Sequence, residues 1–180
     1  MRTILAIVFL FSTHTIAYSQ APQDSVALKV NWKTIKTKNY SLQYPPNWIL
    51  NQGDPGGAAV ILYARMPKKA NDFVENVNLM IQDLSDRNLN LDSYTVLSER
   101  QVHTLVENSK LIKSERVDSL KHEFHQIIYT GDFDEHRLKW HMRFWVVKDE
   151  AYVLTYTSTK ENFGLYAERA EEIMETFKLR

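Results

Sequence analysis

The chain has 180 residues with 22 basic and 22 acidic side chains, so no net field draws it to nucleic acid or to an anionic lipid surface. Cysteine is absent, which excludes disulfides, a thiol nucleophile and a cysteine-linked lipid anchor. Stability must come from a packed core, and this length suits one domain with a core of useful size.

Residues Met1 to Ser19 carry one early positive charge at Arg2, an apolar run from Ile4 to Phe11, and small residues at Ala17 and Ser19. The pattern predicts a secretory signal peptide cleaved before Gln20, because the apolar run is far shorter than the ~20 residues of a spanning helix. The expected product is exported, periplasmic or secreted, with 161 residues (180 minus 19) and 21 basic against 22 acidic side chains. No later stretch is apolar for long enough to span a membrane. Gln20 to Asn31 is polar, contains Pro22 and reads as a mobile lead-in. Residues 32 to 180 are then a single domain.

Within that domain, Trp32 to Lys38 and Tyr40 to Tyr44 alternate as short strands, Pro45-Pro46-Asn47 makes a corner, and Trp48-Ile49-Leu50 resumes the strand pattern. Gly53 to Gly57 is a turn cluster; it lacks the Lys-Ser/Thr of a phosphate cradle. Strands are expected again at Ala59 to Ala64 and Asn76 to Leu84. Asn90 or Asp92 caps a helix running to about Glu107, with Tyr94, Leu97, Gln101, Val102 and Leu105 inward. Lys110 to Leu120 returns to strand period.

The last third reads as three strands and a helix. Arg137 to Val147 alternates Leu138, Trp140, Met142, Phe144 and Val146 against Lys139, His141, Arg143, Trp145 and Val147. A turn at Lys148-Asp149-Glu150 and a return strand from Ala151 to Thr157 pool Tyr152, Leu154 and Tyr156 with the first set. Phe163, Tyr166, Ala167, Ala170, Ile173, Met174 and Phe177 form a helical stripe that covers this apolar face, and Ser158 with Glu161 has the form of a capping box at its start. Two helices and six to eight hairpin-linked strands predict a mainly antiparallel sheet with helices packed on it.

Three stretches carry a family resemblance: Tyr40 to Trp48 with its strand, proline and tryptophan; Asn76-Val77-Asn78-Leu79; and Ala151 to Tyr156 followed by the phenylalanine-bearing helix. Together they resemble the PsbP-like family from about Asn39 to Phe177. The resemblance implies an α/β fold, an αβα sandwich around a mainly antiparallel sheet with two main helices. It also implies proteins that bind and support larger assemblies without catalysis, with no fixed active site to transfer.

Other motifs are sparse. His122 and His125 lie three apart on an expected strand, so their rings point to opposite faces, unlike the i and i+4 pair of a helical zinc site. Asp83 to Asn88 has alternate oxygen ligands but no EF-hand glycine or distal glutamate. No metal, no cofactor and no catalytic residue is expected from these motifs. Five-residue looping at Asp132 to His136 would set His125 opposite Arg143 and His141 opposite Ile127. The tentative binding patch is then Glu123, His125, His141, Arg143, Trp145 and Thr155, suited to an anion or an acidic side chain. The expected function is that of an exported non-catalytic binding or assembly-support protein, with a partner in the cell envelope. The alternatives are a hydrolase with a dispersed site and a small-ligand or metal carrier.

Overall fold

A computed structural model describes residues 31–51, 56–66, 68, 73–118 and 122–180; the expected signal peptide and nearly all of the lead-in lie outside the described residues. In chain order the elements are β1 Lys33–Lys36, β2 Tyr40–Tyr44, β3 Ile49–Asn51, β4 Val60–Tyr63, β5 Asn76–Asp83, α1 Leu91–Leu105, β6 Glu107–Val117, β7 Phe124–Phe133, β8 His136–Val147, β9 Glu150–Thr159, α2 Phe163–Glu175 and β10 Lys178–Leu179. Seven strands form one sheet in the order β3-β4-β5-β9-β8-β7-β6, and β1-β2-β10 form a second, with every pairing antiparallel. The expected α/β sandwich is the observed one.

Two apolar clusters lie on opposite faces of the large sheet. On the α2 side, Val60, Leu62, Val77, Leu79, Trp145, Tyr152, Leu154 and Tyr156 pack against Ala170, Ile173 and Met174 of α2, and against Leu42, Tyr44 and Trp48 around the small sheet. On the α1 side, Ile127, Tyr129, Leu138, Trp140, Phe144 and Val153 pack against Leu91, Tyr94 and Val102 of α1. Burial of side chains this large contributes roughly 1.5–3 kcal/mol each, the main favourable contribution to the fold.

This arrangement corrects the expected pooling of apolar residues. The β8–β9 turn has two residues, Lys148 and Asp149, both left-handed at φ 50° and 61°, and it pairs Val147 with Glu150. Such primed two-residue turns match the twist of the flanking strands. The shorter loop shifts the register by one, so Arg143 faces Leu154 and Trp145 faces Tyr152. Residues directly opposite share a face. Trp140 and Phe144 therefore belong beneath α1, while Leu154 and Tyr156 belong beneath α2.

The helix ends differ too. Asn90 caps α1, accepting from Ser93 N at 2.9 Å, and Leu91, Tyr94, Ser98 and Val102 form its inner stripe while Leu105 turns to solvent. Ser158 lies wholly buried within β9 and caps nothing; α2 starts after Asn162, whose side chain makes no cap bond. Asn162 Nδ2 instead donates to the buried Glu75 carboxylate at 3.0 Å.

Candidate functional site

The β7–β8 hairpin also closes with a two-residue turn, Asp134-Glu135, pairing Phe133 with His136. His125 therefore faces Phe144 and His141 faces Ile128, one residue away from the expected register. A one-residue slip moves a strand's side chains to the other face. The expected patch is divided: His141, Arg143 and Trp145 lie on the α2 side, His125 and Thr155 lie on the α1 side, and Glu123 precedes β7.

On the α1 side, Ser114 Oγ lies 2.7 Å from His125 Nε2 and donates to Glu99 Oε1 at 2.5 Å. A hydroxyl has one proton to give. Because the carboxylate takes it, His125 Nε2 must be the donor to Ser114, which is the reverse of a serine nucleophile activated by a histidine base. Burial first, then Arg116, holds the His125 ring below its ordinary value. Glu123 does not pair with Arg143; it is bound by Arg116 Nε at 3.0 Å, and Arg116 also reaches Asp92 in the first turn of α1. These ion pairs are exposed and contribute little individually. Thr155 is buried opposite Met142.

On the α2 side, a continuous polar chain crosses three strands to the helix. Lys113 Nζ pairs with Glu115 at 2.7 Å. Gln126 Nε2 donates to Glu115 Oε1 at 2.5 Å, and Gln126 Oε1 faces His141 Nε2 at 2.9 Å. His141 Nδ1 lies 3.3 Å from Glu171 Oε2, and Arg143 pairs with the other oxygen of the same carboxylate. The Arg143 guanidinium also lies 5.5 Å over the Phe124 ring, while its Nε is buried without an acceptor among the described residues. Trp145 is buried, its ring 4.7 Å from Phe177 and 5.2 Å from Phe124, so it is core and offers no contact area of its own.

Each link has a local cause. His141 and Arg143 are two apart on β8 and share a face; Glu115 is opposite Gln126, which is opposite Arg143. Glu171 follows Ala170 at the edge of the apolar stripe of α2. Burial, followed by the cations Arg143, Lys113 and Lys139, pulls His141 down to about 4, so the ring is neutral at pH 7. Burial also lowers Arg143. α2 packs over β5 and β9, and among the described residues no helix covers β6 and β7 on this side. Gln126 and His141 are nonetheless only 8% and 9% exposed, because their neighbours' side chains roof them.

Comparison with solved structures places this architecture. The cyanobacterial PsbP of Synechocystis sp. superposes with a TM-score of 0.56 at 13% identity, covering 87% of this chain and 98% of that one. The fold is PsbP-like. The PsbP-like frame is shared with LpqN of Mycobacterium tuberculosis, a protein involved in cell envelope biogenesis, at a TM-score of 0.64, 7% identity and coverages of 83% and 90%. A Pseudomonas aeruginosa protein of unknown function has a TM-score of 0.53 at 14% identity, with coverages of 83% and 97%. No family model and no curated protein matches the chain.

Gln126, Glu115, Lys113 and Glu171 were absent from the sequence-based patch. The alternation of β8 places His141 and Arg143 together, but their partners depend on hairpin register and on where α2 lands. The flank of the helical stripe at Ala170 was the one signal pointing to Glu171.

Proposed function

We propose that this chain is an exported, non-catalytic binding protein that supports an assembly in the cell envelope through the α2-side surface of β6, β7 and β8. The observation that carries the reading is the polar chain from Lys113 to Arg143, whose β6 and β7 links lie on sheet that no helix covers among the described residues and whose β8 end is held at the edge of α2. Ordering so many polar and charged side chains on an open sheet face costs conformational entropy and desolvation, and a surface preorganised in this way reduces the cost of docking a partner. Half-buried Phe124 and Ile128 supply apolar contact beside it, and Lys113 and Lys139 stand at its rim. Export accords with the Arg2, Ile4 to Phe11 and Ala17-Tyr18-Ser19 arrangement, and an envelope role accords with the description of LpqN.

The test combines both parts. The protein is recovered from fractionated cells and its N-terminus sequenced, with Gln20 expected in the envelope or secreted fraction. That species is then used as bait alongside Lys113→Glu/Lys139→Glu. The charge reversals should reduce recovery of a specific envelope protein by about tenfold, equivalent to ~1.4 kcal/mol, with an unchanged melting temperature. Equal recovery by both baits removes this face from the function, and an intact Met1 start in the cytoplasm removes export.

A further inference from the structure

Strand β6 ends the large sheet: among the described residues it is paired with β7 and with no other strand. The opposite end strand, β3, has only three residues, whereas β6 has 11 and runs for roughly 36 Å at the rise of a strand. Seven of those 11 are exposed and none of β8 is, so side chains do not roof this edge as they roof the sheet centre. A row of backbone N–H and C=O groups open along one side is a template for a further strand. Ile112, midway along it, is 52% exposed.

Charge decides what kind of strand fits. Lys110 is opposite Thr130, which is opposite Lys139, so Lys110, Lys113 and Lys139 share the α2 side. Lys110 is exposed and has no carboxylate partner among the described residues; Lys113 shares Glu115 with Gln126, and Lys139 rests 4.1 Å over the Phe163 ring. The other carboxylates of this side stand away from the strand centre. Asp132 is held by Arg137, and Glu107 lies at the far end of β6. On the α1 side the balance is reversed, since Glu99 accepts from Ser114 while Arg116 is committed to Asp92 and Glu123. A second copy of this chain fits poorly. Antiparallel pairing centred on Ile112 would gather Lys110 and Lys113 of both copies around its axis, and register shifts between Glu107 and Lys110 and between Leu111 and Lys113 interrupt the ladder. Edge lysines and bulges are devices against such pairing. To an acidic segment the same lysines are an attraction.

We propose that β6 is the docking edge for an extended acidic segment of the partner, added as a further strand with its carboxylates on the α2 side toward Lys110 and Lys113. Successive side chains of a strand alternate between faces, so the carboxylates belong at every second position and uncharged residues between them meet the acidic α1 side. In strand addition the main-chain bonds give affinity and the side chains give specificity. The inference rests on the binding reading of this side of the sheet and adds the chemistry and geometry of the partner.

The probes are two synthetic octapeptides, one alternating glutamate with valine and one alternating lysine with valine, added to the mature protein. At saturation the glutamate peptide should slow exchange of the β6 amides that β7 leaves free by about tenfold. It should also bind about tenfold more tightly than the lysine peptide, and Lys110→Glu should remove that preference with the melting temperature unchanged. N-methylation of all the glutamates, or of all the valines, blocks one edge of the peptide. One of these two peptides should therefore lose binding while the other keeps it. Equal behaviour of the two reduces the contact to charge attraction and overturns strand addition, as does unchanged β6 exchange or a preference that survives Lys110→Glu. A dimer that protects the same amides without peptide, seen by sedimentation, gives the edge to a second copy and overturns the proposal as well. The binding reading fails separately. Undiminished recovery by the Lys113→Glu/Lys139→Glu bait, with β6 still answering the peptide, removes the α2-side face; reduced recovery with unprotected β6 amides keeps that face and removes the added strand.

Discussion

At Gly131, β7 passes close against the end of α1. A Cβ there would fall well inside van der Waals contact of Val106 Cγ1 and 3.1 Å from Glu107 O. Val106 is the C-cap of α1, 5% exposed, and its backbone N–H is held by Val102 O. A β-branched side chain locked in that position has few rotamers to retreat to. Gly131→Ala should therefore destabilise by about 1–3 kcal/mol, the cost of overpacking a filled site, and urea titration measures it. A loss under about 0.5 kcal/mol, the scale of a neutral surface change, would mean that the α1 end yields freely and is not seated on β7.

At the scale of the element, α2 is held by its stripe and its flank, since its N-cap makes no side-chain bond and no basic residue supports its last turn. Phe177, two residues beyond the helix, closes the stripe with ring contacts to Trp145 at 4.7 Å, Tyr40 at 6.0 Å and Tyr152 at 6.2 Å. Phe177→Ala should cost about 3–5 kcal/mol, as for a buried aromatic cut to a methyl group; a urea-unfolding loss below about 1 kcal/mol would detach α2 from the core. The stripe was legible in the sequence because helical period is local, and so was the alternation along β8. What each strand faces was not, because that depends on turn length. Lys148-Asp149 and Asp134-Glu135 carry no glycine to mark a two-residue turn, although Lys148, Asp149 and Asp134 adopt positive φ. One residue too many in each loop exchanged Trp140 for Trp145 beneath α2 and drew His125 into a patch with Arg143. β10 was missed for another reason: two residues show no period, and its place is fixed by pairing with β2.

At the scale of the whole molecule, the question is whether two cores separated by one sheet unfold together. Strands β8 and β9 are shared: Trp140 and Phe144 alternate with His141, Arg143 and Trp145, and Val153 alternates with Tyr152 and Leu154. Losing either core therefore removes half the burial of the same central strands. The small sheet is tied in as well, with Thr176 Oγ1 accepting from Gln43 N at 2.8 Å and β10 paired to β2. We therefore expect residues 32 to 180 to unfold as one cooperative unit, as small domains of this size usually do. The tryptophans provide the test, because Trp140 lies in the α1-side core whereas Trp48 and Trp145 lie in the α2-side core. In Trp140→Phe the remaining fluorescence reports chiefly on the α2 side, and in Trp145→Phe Trp140 is retained to report on the α1 side. Within each variant the fluorescence midpoint in urea should coincide with that of far-UV circular dichroism. If the α2-side reporters melt first in Trp140→Phe while most of the dichroism persists, the small sheet and α2 form a separate unit, and the shared strands do not couple the two cores.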